Sequence, residues 1–248
     1  MLIMFMNKND IIYNFEGRTV LVVGGSRGIG LQVVKEFSAA GATVYCASRT
    51  APPIQGVIHL QCDVTIEEQI EAVFSFISSM KGPLDFVINV AGTNLCEPIS
   101  NITSGEWDRV LNTNLKSFFL VSRLAVGLMK KAKFGRIVNV SSIAGRHKSI
   151  VSGVHYTASK AGIIGLTKQL AHEVAPYNIL VNCVCPSQTM TEMLEQSMTP
   201  AQITLLASKI PVRRIASTQE QAAPILFLCS SAANYMTGTT LDINGGQF

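Results

Sequence analysis

Short β-branched apolar runs alternate along this chain with longer stretches whose apolar residues recur at helical spacing. The first run, Arg18 to Val23, reads as a strand buried on both faces. It leads directly into a glycine-rich segment, Gly24 to Gly30. A helix pattern through Leu31, Val34 and Phe37 follows, and Gly41 ends it. Further strands are predicted over Ala42 to Ala47, Val57 to Cys62, Leu84 to Val90, Gly135 to Val140 and Ile179 to Val184. A last strand and glycine turn fall within Thr237 to Gly246. Helices are predicted over Ile66 to Met80, about Ser104 to Lys131, Tyr156 to Val174, Ala201 to Ser208 and Thr218 to Leu228. Thr65, with Glu68 three residues on, suits the cap of the first of these, and Thr218 that of the last. Strand and helix alternate throughout, which implies one doubly wound α/β domain with a mostly parallel, seven-stranded sheet and helices on both faces. The domain is placed at residues 16–248, behind an extension of residues 1–15, with no internal repeat and no second domain.

Composition narrows the classes. The 248 residues are 48% hydrophobic and 15% charged, enough for a large core and unlike a disordered chain. A net charge of +4 is spread out, and its densest patch, Lys130, Lys131, Lys133 and Arg136, reads as a solvated helix end. That gives no reason to expect nucleic acid. Six cysteines form no C-x-x-C pair, so no metal site is expected, and they read as buried thiols. Cys183 and Cys185, two apart in a strand, share a face. Met1 to Met6 is apolar but too short for a signal-peptide core or a membrane span, so a cytoplasmic protein without membrane attachment is expected.

The chemistry-bearing residues sit at the ends of these elements. Glycines in a strand–turn–helix context let a backbone approach a pyrophosphate, and the helix N-terminus offers N–H donors. Tyr156 and Lys160 are four apart, one turn of helix, so phenol and ammonium share a face. A nearby ammonium favours phenolate and makes the phenol a better acid, as carbonyl reduction needs. At the end of the second strand, a carboxylate that would accept from a ribose 2′-OH is replaced by Ser48, followed by Arg49. Arg27 and Arg49 are either ordinary surface arginines or the holders of a 2′-phosphate, and the missing acid favours the second.

The glycine spacing G-x-x-x-G-x-G together with Tyr156 and Lys160 resembles the short-chain dehydrogenase/reductase family, over nearly the whole chain. The resemblance implies a Rossmann-type fold and NADP(H) as cofactor, with NAD(H) second. It implies a catalytic set of Asn114, Ser142, Tyr156 and Lys160, in which Asn114 perturbs its helix and holds a relay water. Cofactor contacts are implied at Gly24, Ser26, Arg27, Gly28, Ile29, Gly30, Ser48, Arg49, Asp63, Val64, Asn89, Ala91, Gly92, Pro186, Thr189 and Thr191, besides Tyr156 and Lys160. Asp63 and Val64 would meet the adenine, although Asp63 to Thr65 also reads as the start of a helix. Substrate contacts are expected from Ser142, Tyr156, Asn94, His147, Met190 and Met193, under a lid at about 188–212. His147 and His155 are otherwise read as solvent-facing or structural.

Four departures from the family pattern stand out: Val23 for Thr, Val90 within Asn89 to Gly92, Ser187 for Gly, and a short link, Ala51 to Gly56, for a crossover helix. Within the family, Phe134 to Val138, Tyr156 to Gly162 and the C-terminal stretch are most like the 3-oxoacyl-[acyl-carrier-protein] reductases. The small-molecule carbonyl or alcohol substrate would then be carrier-bound, although Pro176, Tyr177 and Asn178 lack the basic residue that helps such reductases dock the carrier. A reductase of a small ketone, sugar or polyol, and a cofactor-binding regulatory protein without turnover, stay open beside it. The resemblance also implies a homotetramer or homodimer, packed through the two long helices. Phe118, Phe119, Ile163 and Leu166 fit that interface or the core equally.

Overall fold

The computed structural model describes residues 11–80, 82–149 and 151–248, without the side chains of Met193 and Ser197. Seven strands, β1 (Thr19–Val23), β2 (Thr43–Ser48), β3 (Ile58–Gln61), β4 (Phe86–Asn89), β5 (Gly135–Val140), β6 (Ile179–Pro186) and β7 (Thr240–Ile243), form one sheet in the order 3-2-1-4-5-6-7. Every pair is parallel. The central strands β4, β5 and β6 are buried along their whole length, Arg136, Asn139 and Asn182 included, so their apolar residues do not alternate with exposed ones.

Helices cover both faces. On one side α1 (Gly28–Ala39) and α8 (Thr218–Cys229) bury Val33, Phe37, Ile225 and Leu228 against β1 and β4. On the other, α2 (Glu67–Ser79), α4 (Ser117–Ala132) and α5 (Val154–Val174) bury Ile70, Phe74, Leu120, Met129 and Ala171. The strand order reverses at β1, between β2 and β4, which opens the crevice at the carboxyl ends where such sheets take ligands.

Several expectations are corrected in detail. Phe15, assigned to the extension, is 5% exposed and packs on Phe37 and Phe86, so the core reaches back past residue 16. Residues 1–10 of that extension lie outside the described residues. The long predicted helix is three pieces: α3 (Ser104–Leu111), a π-helical turn (Asn112–Lys116) and α4. Thr65 does not cap α2. The Asp63 carboxylate takes both the Thr65 N–H and hydroxyl, so Ile66 becomes the cap residue without a side-chain bond. The cap of α8 is Ser217 in a capping box with Glu220, and Thr218 is its first helical residue. The crossover between β2 and β3 contains no helix, as its short proline-containing link implies.

The predicted lid folds as α6 (Glu192–Ser197) and α7 (Pro200–Ser208) around its own apolar cluster of Leu206, Ile210 and Ile215. Phe118 and Ile163 are core residues, while Phe119 is 46% exposed and Leu166 half-buried. Five cysteines are buried as read, and Cys96 is exposed. Among the described residues, no helix is long and apolar enough to cross a membrane, and no cluster of acids, histidines and cysteines could hold a metal.

Candidate active site

Strand β1 ends in a turn that only glycine permits. Gly24 has φ +94°, and a Cβ there would lie 2.6 Å from the Ala91 backbone. A Cβ on Gly30 would strike the Gly24 carbonyl. The turn feeds α1, whose cap Arg27 makes no side-chain bond and whose first turn carries no acid. The N–H groups at Gly28 and Ile29 therefore lack any side-chain acceptor at a positive dipole end, a fit for a phosphate. Ile29 is half-buried against the core and Ser26 half-buried in the turn. The other wall of the crevice is Ala91 and Gly92, with Val90 packed beside Gly30. Thr191 lies across it, its methyl 3.6 Å from the Cβ position of Gly28.

Ser48 is 5% exposed and donates to the Thr50 carbonyl at 2.8 Å, so its hydroxyl shapes the strand end. Arg49 is exposed beside it, and its charge reaches Asp63. Bonds from Thr65 hold the Asp63 carboxyl below the ordinary range, with Arg49 adding to them. Val64 is half-buried against the core next to Asp63. Arg27 is exposed as well, and Ser48 leaves no carboxylate at the end of β2. Asn89 is 1% exposed, and its side-chain amide donates to the Asn139 amide oxygen at 2.9 Å inside the sheet. Pro186 is buried at the end of β6. Ser187 has no positive φ, so the loss of glycine there costs no strain. Thr189 donates to the Ser187 carbonyl at 2.9 Å.

The structure brings the four candidate catalytic side chains together. Asn114 stands in the π-helical turn, and it clamps rather than faces the crevice. Its amide accepts from Thr93 N–H at 2.8 Å and donates to the Thr93 carbonyl at 2.9 Å and the Ser159 hydroxyl at 3.1 Å. A π-helical turn in a long helix marks functional sites often enough to be a signal. Ser142, beyond β5, accepts the Ala144 N–H at 3.1 Å, and its hydroxyl is near enough to the Tyr156 phenol to favour the ionised form. Lys160 is buried, with its ammonium 2.9 Å from the Val140 carbonyl and 5.6 Å from the centre of the Tyr156 ring. Ser141 has a separate part: its hydroxyl donates to the Lys160 carbonyl at 2.7 Å.

Burial acts on both members of the pair. It pushes the Tyr156 phenol up, with Ser142 opposing it. Burial also brings Lys160 down to about 8. The same dry pocket that aligns the pair disfavours charge on either member.

The residues expected around the substrate spread along the mouth. Asn94 is exposed and donates to the Val151 carbonyl at 3.1 Å, joining the loop after β4 to the start of α5. His147 is exposed and stacks on Phe248 at 5.3 Å. Met190 packs into the lid's own cluster, and the Met193 side chain lies outside the described residues. His155, read as solvent-facing or structural, is fully buried and accepts the Tyr156 N–H at 3.0 Å. A buried histidine directly before the tyrosine carries no periodic signal that would distinguish it in sequence.

Comparison with known proteins agrees with this arrangement. A family model described as enoyl-(acyl carrier protein) reductase matches residues 23–247. The chain is 34% identical to the 3-oxoacyl-[acyl-carrier-protein] reductase FabG of Aquifex aeolicus, covering 94% of this chain and 98% of that one. It is also 34% identical to a tropinone reductase homolog of Arabidopsis thaliana, covering 96% and 95%. Among solved structures, ElxO with NADP bound superposes with a TM-score of 0.87 at 31% identity, covering 93% of this chain and 98% of that one. A short chain dehydrogenase of Leptospira borgpetersenii with bound NAD+ gives 0.88 at 30%, covering 98% of both.

Proposed function

The chain belongs to the short-chain dehydrogenase/reductase family, and from that premise we propose that it is an NADP(H)-dependent oxidoreductase interconverting a carbonyl and a secondary alcohol, best matched to a 3-oxoacyl thioester. The observation that carries the reading is the buried Lys160 ammonium 5.6 Å from the centre of the Tyr156 ring, with Ser142 beside the phenol, at the mouth of an uncapped glycine turn. Gly24, Gly28, Ile29 and Gly30 would hold the pyrophosphate, Arg27 and Arg49 the 2′-phosphate, and Asp63 the adenine. The nicotinamide, when bound, supplies or accepts the hydride.

The protein's own groups handle the proton. Tyr156 donates its phenolic hydrogen to the carbonyl oxygen in reduction and takes it back in oxidation. Ser142 offers its hydroxyl to the same oxygen and shares the charge that develops there. Lys160, as ammonium, lowers the cost of leaving a phenolate behind and is placed to hold the nicotinamide ribose. Asn114 keeps the loop after β4 against α5, so the wall of the site stays in register with Tyr156.

The acyl-thioester assignment gains from one contact. The Lys130 ammonium lies 4.3 Å from the centre of the Tyr177 ring, so a positive charge stands where the local sequence has none. Lys130, Lys131 and Lys133 then offer an acidic carrier a basic approach. The second reading, a small-ketone or sugar reductase, is favoured by the likeness to a tropinone reductase homolog. A cytoplasmic protein assembling as a tetramer or dimer through α4 and α5, with exposed Phe119 at the interface, belongs to the same proposal.

The test is NADPH oxidation with an acetoacetyl thioester, with NADH in parallel. Turnover with NADPH, reduced roughly 10²–10⁴-fold in Tyr156→Phe with NADPH binding retained, is the expected result. Reduction of small ketones or sugars but not the thioester transfers the assignment to the second reading. NADPH binding with no carbonyl turned over leaves a binding protein and ends the enzymatic one.

A further inference from the structure

The turn that carries Ser142 is stiff within itself. Ser142 accepts the Ala144 N–H on its hydroxyl at 3.1 Å and the Gly145 N–H on its carbonyl at 3.0 Å. The Ile143 carbonyl accepts the N–H groups of Arg146 and His147, at 3.0 and 2.8 Å. These bonds make residues 142–147 one piece, with a 3-10 turn (Ile143–Gly145) inside it. Gly145 lies flat on α5, where a Cβ would stand 2.6 Å from the Lys160 carbonyl. Whatever holds Arg146 and His147 therefore also sets where the Ser142 hydroxyl stands.

Both holds come from the end of the chain. The Arg146 guanidinium grips the Asp242 carboxylate with two bonds, Nε to Oδ1 at 3.1 Å and Nη2 to Oδ2 at 2.9 Å. That paired, planar grip suits arginine and a carboxylate. The His147 ring stacks on Phe248, with centres 5.3 Å apart and planes 21° from parallel. Between these two contacts the segment is itself seated. The Ile243 carbonyl accepts from Ser187 N–H at 3.1 Å and from the Gln221 amide at 3.2 Å. The Gly245 carbonyl accepts from Val212 N–H at 3.3 Å. Gly245 has φ +61°, and a Cβ there would lie 2.6 Å from Val212 and 2.9 Å from Ile210. Ile210 belongs to the apolar cluster of the lid.

We propose that residues 242–248 are a strut that holds the Ser142 turn in place from the base of the lid, with Arg146, Asp242 and Phe248 as positioning residues. Each acts on the reaction through Ser142 and not on the reacting atoms. The side chains of Arg146 and Asp242 are 38% and 26% exposed, so the fork adds little to stability. Its loss frees the turn without unfolding the protein. The effect on turnover rests on the catalytic reading above, but the strut itself does not.

Hydrogen exchange of the intact protein needs no substrate and comes first. The amides of residues 144–147 should lose protection in Arg146→Asp, in Asp242→Arg and on deletion of Phe248. Protection should return in the exchanged pair Arg146→Asp/Asp242→Arg. Gly245→Ala, which pushes the segment off the lid, should loosen the same amides. Should that variant fail to fold, Val212→Gly replaces it by removing the seat from the other side. Kinetics follow: kcat for carbonyl reduction should fall roughly fivefold in each single charge variant, with the KM for NADPH little changed, and recover in the exchanged pair. On the residual rate of Ser142→Ala the same variants should cost nothing further, which a general structural role would not produce. If no carbonyl is turned over, the proposed activity fails and the exchange measurement still decides the strut. Unchanged protection in any of these single variants, no recovery in the exchanged pair, or a full further loss in Ser142→Ala overturns the proposal.

Discussion

Replacing Asn114 by alanine removes three hydrogen bonds at once: two partly buried ones to the Thr93 backbone and a buried one to Ser159. Each is worth about 0.5–1.5 kcal/mol net, so about 3 kcal/mol of stability should go. Thr93 is only half-buried and water can meet its peptide groups, whereas Ser159 is fully buried and cannot be reached. For a chain of 248 residues that is a fall of roughly 10 °C in melting temperature. Urea unfolding with and without the substitution measures it, and kcat should fall in the same protein because the wall beside Tyr156 loses its clamp. Asn114→Asp sharpens the argument. One oxygen of the introduced carboxyl still accepts from Thr93 N–H, but the other opposes the Thr93 carbonyl and has no proton to offer. Burial and that opposition raise the introduced group above the unfolded value of about 3.9. A raised folded pKa means stability that is complete below the unfolded value and lost as pH rises through the folded one. The deficit of Asn114→Asp against wild type should therefore shrink as the solution is acidified. A loss below about 1 kcal/mol in Asn114→Ala, or a deficit in Asn114→Asp that ignores pH, would refute the clamp.

Two further outcomes follow from surface charge. Arg49→Ala should raise the KM for NADPH roughly tenfold, as loss of one charge-assisted contact at an exposed site does, with that for NADH little changed; equal effects on both would remove Arg49 from the 2′-phosphate. Glu220 is held down to about 2, chiefly by Arg214 and next by the Ser217 N–H, so the pair's contribution is present above the ordinary glutamate value and lost as pH falls through about 2. In Arg214→Ala a carboxylate titration by NMR should find Glu220 back toward the ordinary range, with little stability lost at neutral pH because the pair is solvated.

The strands were legible because a sheet buried on both faces writes itself as continuous apolar runs, and β4, β5 and β6 are buried at every position. The glycine turn was legible because no other residue allows the approach of Gly24 to Ala91. What sequence hid is what depends on a partner far along the chain. The π-helical turn at Asn112–Lys116 carries no local signal of its own, and only the family resemblance, through Asn114, pointed to a perturbed helix there. The side-chain partner of Asn89 was hidden in this way, since Asn139, which takes its amide, lies fifty positions on. Thr65 and Thr218 each had the right chemistry for a cap: Asp63 took the Thr65 hydroxyl and left Ile66 as a cap residue without a side-chain bond, and Ser217, one residue before Thr218, made the capping box. Burial beside Tyr156 and Lys160 was also invisible, and it reverses the sign of the phenol's shift.

That reversal bears on the direction of the reaction. With the phenol pushed up by burial, Tyr156 stays protonated throughout the neutral range and is ready to act as an acid. Oxidation needs the opposite form, a phenolate to receive the alcohol's proton, and its rate should climb as pH rises toward the raised phenol value. Lys160 works against that climb, because it loses its charge at about 8, before the phenol ionises, and the phenolate then loses the cation that favours it. Reduction should therefore run level through neutral pH and decline as Lys160 deprotonates near about 8, while oxidation stays slow until well above it. Initial rates in both directions across the pH range, with matched ketone and alcohol, decide the point. A forward rate that falls on the acid side of neutrality, or a reverse rate already maximal there, would mean that the phenol is ionised in the working enzyme and that burial does not control it.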